Sequence, residues 1–175
     1  MNSLIARCAR LAPSLHQGWY ALPLRLVIGY GFLEHGYAKL LRGPDAFPQI
    51  LAAMHLPLPH LLGWITITVE IMGGLSVILG LFIPLASMPM IAVLLVAIFT
   101  VHLPNGFSSI KLESFTADGA HFGQPGYETD LLYIAGLLAL VIGGSGPWAL
   151  DRLLVGNAVL RNPTHRHDQS RVARR

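Results

Sequence analysis

Between His60 and Ile83 the chain reads HLLGWITITVEIMGGLSVILGLFI, more than twenty residues carrying one formal charge, Glu70. As a helix this is long enough for a hydrocarbon core of about 30 Å, which takes roughly 20 apolar residues. A soluble core helix would keep a polar face, and this one has none. The run predicts a membrane span with a carboxylate near its middle. An acid there costs roughly 2.5 kcal/mol or more on insertion scales, so it needs a partner, a proton or a water-lined cavity. On a helical wheel Gly63, Thr66, Gly74 and Val77 share the Glu70 side, and Gly73 flanks it. Small residues on that side admit a neighbouring helix. Glu70 is therefore expected to face protein, with its partner on another helix.

Composition agrees. Of 175 residues, 53% are hydrophobic and 12% charged, against about 25% charged in a soluble domain. A membrane protein with room for one compact bundle is expected. The net charge of +3 is built at the two ends. No Arg/Lys stripe follows the middle of the chain, which argues against nucleic acid as a partner. Cys8 is the single cysteine, which leaves no intrachain disulfide, CxxC pair, CxxCH haem attachment or thiolate cluster. No haem, iron–sulfur or flavin motif is present, so any electrons must come from another molecule.

Residues 1–21 read as a cytoplasmic or interfacial arm, with Arg7 and Arg10 early and Trp19 and Tyr20 at headgroup level. They do not read as a signal peptide, because Pro13, His16 and Gln17 break the apolar stretch and no cleavage pattern follows. A membrane domain over residues 22–153 is predicted, with spans at about 22–41, 61–83, 85–103 and 130–150. Pro84 is expected to end the second span, and Pro89 to lie one turn inside the third. Phe47 to Met54, in the first loop, could lie in the interface. The loop Pro104 to Thr129, with Phe107, Phe115, Phe122 and Tyr127, reads either as a lid or as disorder. Residues 154–175 form a basic tail too polar to fold alone. Both termini are basic and the long loop is acidic, so the termini are placed in the cytoplasm. The expected fold is an all-α, four-helix transmembrane bundle.

The first span is unusually polar. Arg25, Gly29, Phe32, Gly36 and Lys39 share one face, His35 lies at its edge, and Glu34 points roughly the opposite way. Arg25 and Lys39 lie near the ends, where snorkelling to headgroups accounts for them. In the alternative they meet Glu70. Depth favours His35 as the direct partner, because Glu70 lies roughly 15 Å below the outer end of its helix. Glu34 must find its own partner, with the fourth span as the candidate. Lys39, His60, His102, Glu128 and Asp130 fall at the outer helix ends. A polar pocket in the outer half, capped by the long loop, follows. These charges could equally do no more than fix helix packing. A metal site of His35, Glu70 and His102 has suitable donors, but no HxxxH or HExxH spacing supports it, and none is expected.

The runs RLVIGYGFLEHGYAKL (Arg25 to Leu40) and VEIMGGLSVILGLFIP (Val69 to Pro84), the loop ending GQPGYETDLLYIAGLLAL and the closing GSGPWALD resemble the DoxX family of bacterial membrane proteins. The resemblance covers about Leu22 to Leu153, all but the two tails. It implies a four-helix bundle in the inner membrane. Some relatives are subunits of a thiosulfate:quinone oxidoreductase, others are linked to redox-stress complexes, and others have no established activity. Arg25, His35, Lys39 and Glu70 match the family motif, but chemical roles do not come with the match.

Two functional readings stand at this point. In one, the protein is a redox-associated subunit, with Glu70, His35 and Lys39 as proton-handling groups. Arg25, Glu34, His102 and Asp130 then help to bind a quinone-like headgroup. Its expected partners are the lipid bilayer, a soluble or membrane redox protein that donates electrons, and further copies of the chain. In the other, the protein is a non-catalytic scaffold or small-solute carrier held together by the same charges.

Overall fold

The computed structural model describes residues 18–43 and 45–152. Most of the predicted N-terminal arm and the basic tail lie outside them. Among the described residues five helices follow in order: α1 (Ala21–Leu41), α2 (Ala46–Ala53), α3 (Pro59–Leu79), α4 (Ile83–Ala97) and α5 (Glu128–Gly143). Helix α4 runs on through a π-helical turn, Ile98–His102, and a 3-10 turn, Leu103–Asn105. Two short antiparallel strands, β1 (Leu112–Thr116) and β2 (Gly119–Phe122), form a hairpin in the long loop. The fold is mostly helical, and the hairpin corrects the all-α expectation. Asp118 in the turn and Gly119 (φ +120°), which opens β2, carry the local signal for it.

Among the described residues two helices are long and apolar enough to cross a membrane, Pro59–Leu79 and the continuous Ile83–Asn105. Their bounds follow from local chemistry. Pro59 opens α3, where its missing N–H matters least. Gly80 closes it in a left-handed conformation (φ +67°), with Gly80 N–H donating to the Val77 carbonyl and Leu81 N–H to that of Ser76. The second span was expected to run to Ile83 and stop at Pro84. It stops at Leu79 because Gly80 turns the chain first, and Pro84 instead belongs to the opening turn of α4. Pro89 sits inside α4 at an exposed position, deeper than the one turn expected because the helix already begins at Ile83. Helix α5 ends at Gly143, short of the expected Leu150, because Gly144 (φ +85°) and Gly146 (φ +73°) bend the chain into a turn.

The four long helices pack in a ring, α1 against α3 and α5, and α4 against the same two. Ile28, Phe32, Val77, Met90, Leu137 and Leu140 fill its centre. Contact between α1 and α3 is closest where Gly29 meets Gly74: a Cβ on either would lie 2.7 Å from the other's carbonyl oxygen. Gly36 lies against the Cβ of Glu70, which a Cβ of its own would approach to 3.1 Å. Helix α2 covers the start of α3, with Pro48 against Gly63. The first turns of α3 thus extend past the end of α1 and stack on α2. That offset sets which polar groups meet.

Candidate functional site

Because α3 overshoots α1, Glu70 stands level with the last turns of α1. Lys39 Nζ lies 2.7 Å from both Glu70 carboxylate oxygens, a bidentate ion pair across the α1–α3 contact. The Glu70 side chain is 7% exposed and that of Lys39 18%. Phe47 of α2 completes the setting, its ring centroid 4.9 Å from the ammonium, within cation–π range. Glu70 faces protein, as its small-residue side predicts. The partner is Lys39 rather than His35, which is exposed on α1. The depth argument failed because it levelled the helix ends, which α2 displaces.

Arg25 has a different role from either expectation. It is 2% exposed, so it does not snorkel, and it lies at the opposite end of the bundle from Glu70. Its Nε donates to the Val77 carbonyl at 3.1 Å and its Nη2 to that of Ile78 at 2.6 Å, at the C-terminal end of α3. Nη1 donates to the carbonyls of Ser145 and Pro147, each at 3.0 Å, and Nη2 also to Trp148 at 3.4 Å. The guanidinium fork thus neutralises carbonyls that helix α3 and the following turn cannot satisfy themselves. Nearby, both Asp151 carboxylate oxygens accept the N–H of Phe82, at 3.2 and 3.0 Å. That closes the α3–α4 turn. A wheel of α1 gives no signal for these bonds, since the acceptors are backbone groups distant in sequence.

The second buried pair joins α4 to α5. The π-helical turn brings His102 to the first turn of α5, where its Nδ1 hydrogen bonds the Asp130 carboxylate. The Asp130 side chain is nearly buried and that of His102 is partly so. An Asp on Nδ1 fixes the imidazole orientation and directs Nε2 elsewhere, and π-turns recur at such positions. The loop reinforces this end. Glu128 accepts the Ser109 N–H at 3.0 Å, Thr129 N–H donates to Ser109 Oγ at 3.0 Å, and Phe107 packs edge-on against Tyr127 at 5.6 Å. His60 is surface-exposed, 3.7 Å from Asp45.

Lys39, Glu70, His102 and Asp130 therefore gather at one end of the bundle as two pairs. Arg25 lies at the other end, and Glu34 and His35 lie on the outer face of α1. His35, Glu70 and His102 do not come together, and among the described residues no three His, Cys, Asp or Glu side chains could hold a metal ion. Sequence reasoning missed Phe47 and Asp151. It also missed Ser87, a 1% exposed residue whose Oγ has no hydrogen-bond partner among the described residues.

A helix pair bound by close glycines and a buried ion pair, with two helices apolar and long enough to cross a membrane among the described residues, defines the class: a small helical membrane protein. The chain belongs to the DoxX family, whose model matches residues 20–103. It is 31% identical over 135 residues to an uncharacterized membrane protein of Mycobacterium tuberculosis, covering 75% of this chain and 78% of that one. It is 32% identical over 131 residues to an uncharacterized protein of Haemophilus influenzae, covering 73% of this chain and 85% of that one. No solved structure matches it.

Proposed function

We propose that this DoxX protein crosses the bacterial inner membrane four times, through α1, α3, α4 and α5, with both termini in the cytoplasm. In its outer half the Lys39–Glu70 and His102–Asp130 pairs bind a quinone-like headgroup and supply its protons. The observation that carries this reading is the bidentate Lys39–Glu70 pair at 2.7 Å inside an apolar helix, since intramembrane ionisable groups are functional candidates by default. Two of the three ammonium protons serve Glu70, leaving a third for a carbonyl oxygen. Among the described residues His102 Nε2 has no partner, and the Phe47 ring offers an aromatic wall. Reducing a quinone to the quinol takes two electrons and two protons. The protons pass through Glu70 and His102, and the electrons come from a partner protein. Arg25 is left out of the binding set because its donors are already engaged.

The test is purification in mild detergent with mass spectrometry of retained small molecules and chains. The expected result is quinone retained by the native protein and lost from folded Glu70→Gln. Full complementation by Glu70→Gln would remove the proton relay.

The second reading, a non-catalytic scaffold, is favoured by the close bidentate pairing of Glu70 with Lys39, which already satisfies both carboxylate oxygens. It expects the double variant Lys39→Met, Glu70→Leu to complement fully, whereas the redox reading expects an assembled but inactive protein.

A further inference from the structure

The outward faces of three helices suit lipid: Ile65 and Met72 on α3, Met88 on α4 and Phe99 on its π-helical continuation, Leu132 and Ile142 on α5 are all exposed and apolar. Helix α1 breaks the pattern. Along its exposed side run Val27, Tyr30, Glu34, Tyr37 and Leu41, spaced alternately three and four residues apart. That is the spacing of a seam between two supercoiled helices. Tyr30 is 64% exposed and Tyr37 55%. Among the described residues none of the three polar side chains in this stripe makes a hydrogen bond or ion pair within the chain. Glu34 lies seven residues, or roughly 10 Å, from the end of α1 at Leu41. A short carboxylate there reaches headgroups poorly, and left alone in hydrocarbon it is costly.

We infer that this face of α1 is the contact surface for a second copy of the chain, with Glu34 as its polar centre. The inference rests on the reading that α1 crosses the membrane. The surface is complementary to itself, as a two-fold contact requires. Each copy offers one carboxyl acceptor and two phenolic donors one turn away on either side. Both copies insert with the same orientation, so the α1 helices run parallel. The two Glu34 side chains then meet at the axis, share a proton and accept from tyrosines of the facing copy. A polar residue within a helix seam sets register in this way, and interhelical hydrogen bonds hold membrane helices together. A lipid headgroup or an unrelated helix would not need the repeat of Val27, Tyr30, Tyr37 and Leu41 around the acid.

The test uses the full chain in native membranes with Cys8→Ser as background. Leu41→Cys is expected to give a disulfide-linked dimer on oxidation, and Leu61→Cys, exposed at the same end on α3, is not. In the Leu41→Cys chain, Glu34→Leu should cut the cross-linked fraction at least tenfold. Glu34→Gln, which both donates and accepts, should keep it. Equal cross-linking at Leu41 and Leu61, none at Leu41, or no response to Glu34→Leu overturns the inference. So does native mass spectrometry showing a monomer carrying lipid or a different chain. Membrane-impermeant maleimide on Tyr30→Cys reads the membrane position of α1 separately. Protection with no dimer defeats the interface alone, and ready labelling defeats the four-span reading as well.

Discussion

Gly29 and Gly74 lock α1 to α3, each backbone lying where the other's side chain would be. In hydrocarbon, apolar burial gives helices no reason to associate, so close van der Waals packing and polar pairs must do it. The glycine contact supplies the first, and it brings Lys39 within reach of Glu70 on the same pair of helices. Overpacking typically costs 1–3 kcal/mol, and here the obstruction is a backbone carbonyl. Gly74→Ala should therefore lower Tm in detergent by a clear margin, while Leu75→Ala, on an exposed neighbour, should change stability by no more than about 0.5 kcal/mol. Equal effects of the two would mean that α1 and α3 do not meet there.

The ion pair predicts a specific non-additivity. Removing one partner of a buried pair costs about 3–5 kcal/mol, whereas replacing both with apolar residues is often neutral or better. Glu70→Leu and Lys39→Met alone should each destabilise strongly, and together they should restore most of the loss. A double-mutant cycle of thermal unfolding measures it. Additive losses would show that the two side chains do not pair.

Arg25 should resist conservative replacement. Hydrogen bonds to charged groups are worth roughly 1.5–3 kcal/mol each, and a lysine cannot span both α3 and the turn at Ser145–Trp148. Arg25→Lys should lose nearly as much folded protein as Arg25→Leu. Lys39→Arg, where the acceptor is a carboxylate, should be tolerated. Yield and Tm after solubilisation report both, and a stable Arg25→Lys would contradict the backbone clamp.

Ser87 gives the opposite sign. Its buried hydroxyl has no partner among the described residues, and an unsatisfied polar group costs about 1–3 kcal/mol. Ser87→Ala should leave Tm unchanged or raise it. A marked fall would reveal a bonding partner for the hydroxyl.

The hairpin separates stability from function. Every residue of β1 is exposed, so replacing Leu112–Phe122 with a flexible linker should leave Tm nearly unchanged. If the loop is a lid, complementation should fail. A collapse of Tm would make the hairpin part of the core. Reporter fusions near Gly119 and after Arg175 check the orientation: activity outside for the first and inside for the second is expected.

The sequence carried what periodicity can carry. Small residues placed Glu70 toward protein, and glycines on two faces made α1 and α3 neighbours. What it could not carry were partners fixed by offsets and by backbone. The choice between His35 and Lys39 turned on how far α3 runs past α1, and α2 decides that. Arg25 bonds to carbonyls, which have no residue type to read. The hairpin escaped notice because its side chains face outward and leave no alternating pattern to find. Membrane crossing by all four long helices rests on the proposal above; among the described residues only α3 and the run from α4 to Asn105 have the length and hydropathy of a span, and α1 and α5 do not.

The Arg25 clamp has a bearing on biogenesis. The cation is made early, in the first helix, but three of its five carbonyl acceptors belong to Ser145, Pro147 and Trp148, near the end of the described chain. Until those residues emerge from the ribosome, a guanidinium lies incompletely solvated within the nascent bundle. Emergence of that turn is thus coupled to discharge of that penalty. A chain truncated before Ser145 keeps only the Val77 and Ile78 carbonyls as acceptors for Arg25, and should hold α1 against α3 less firmly for that reason.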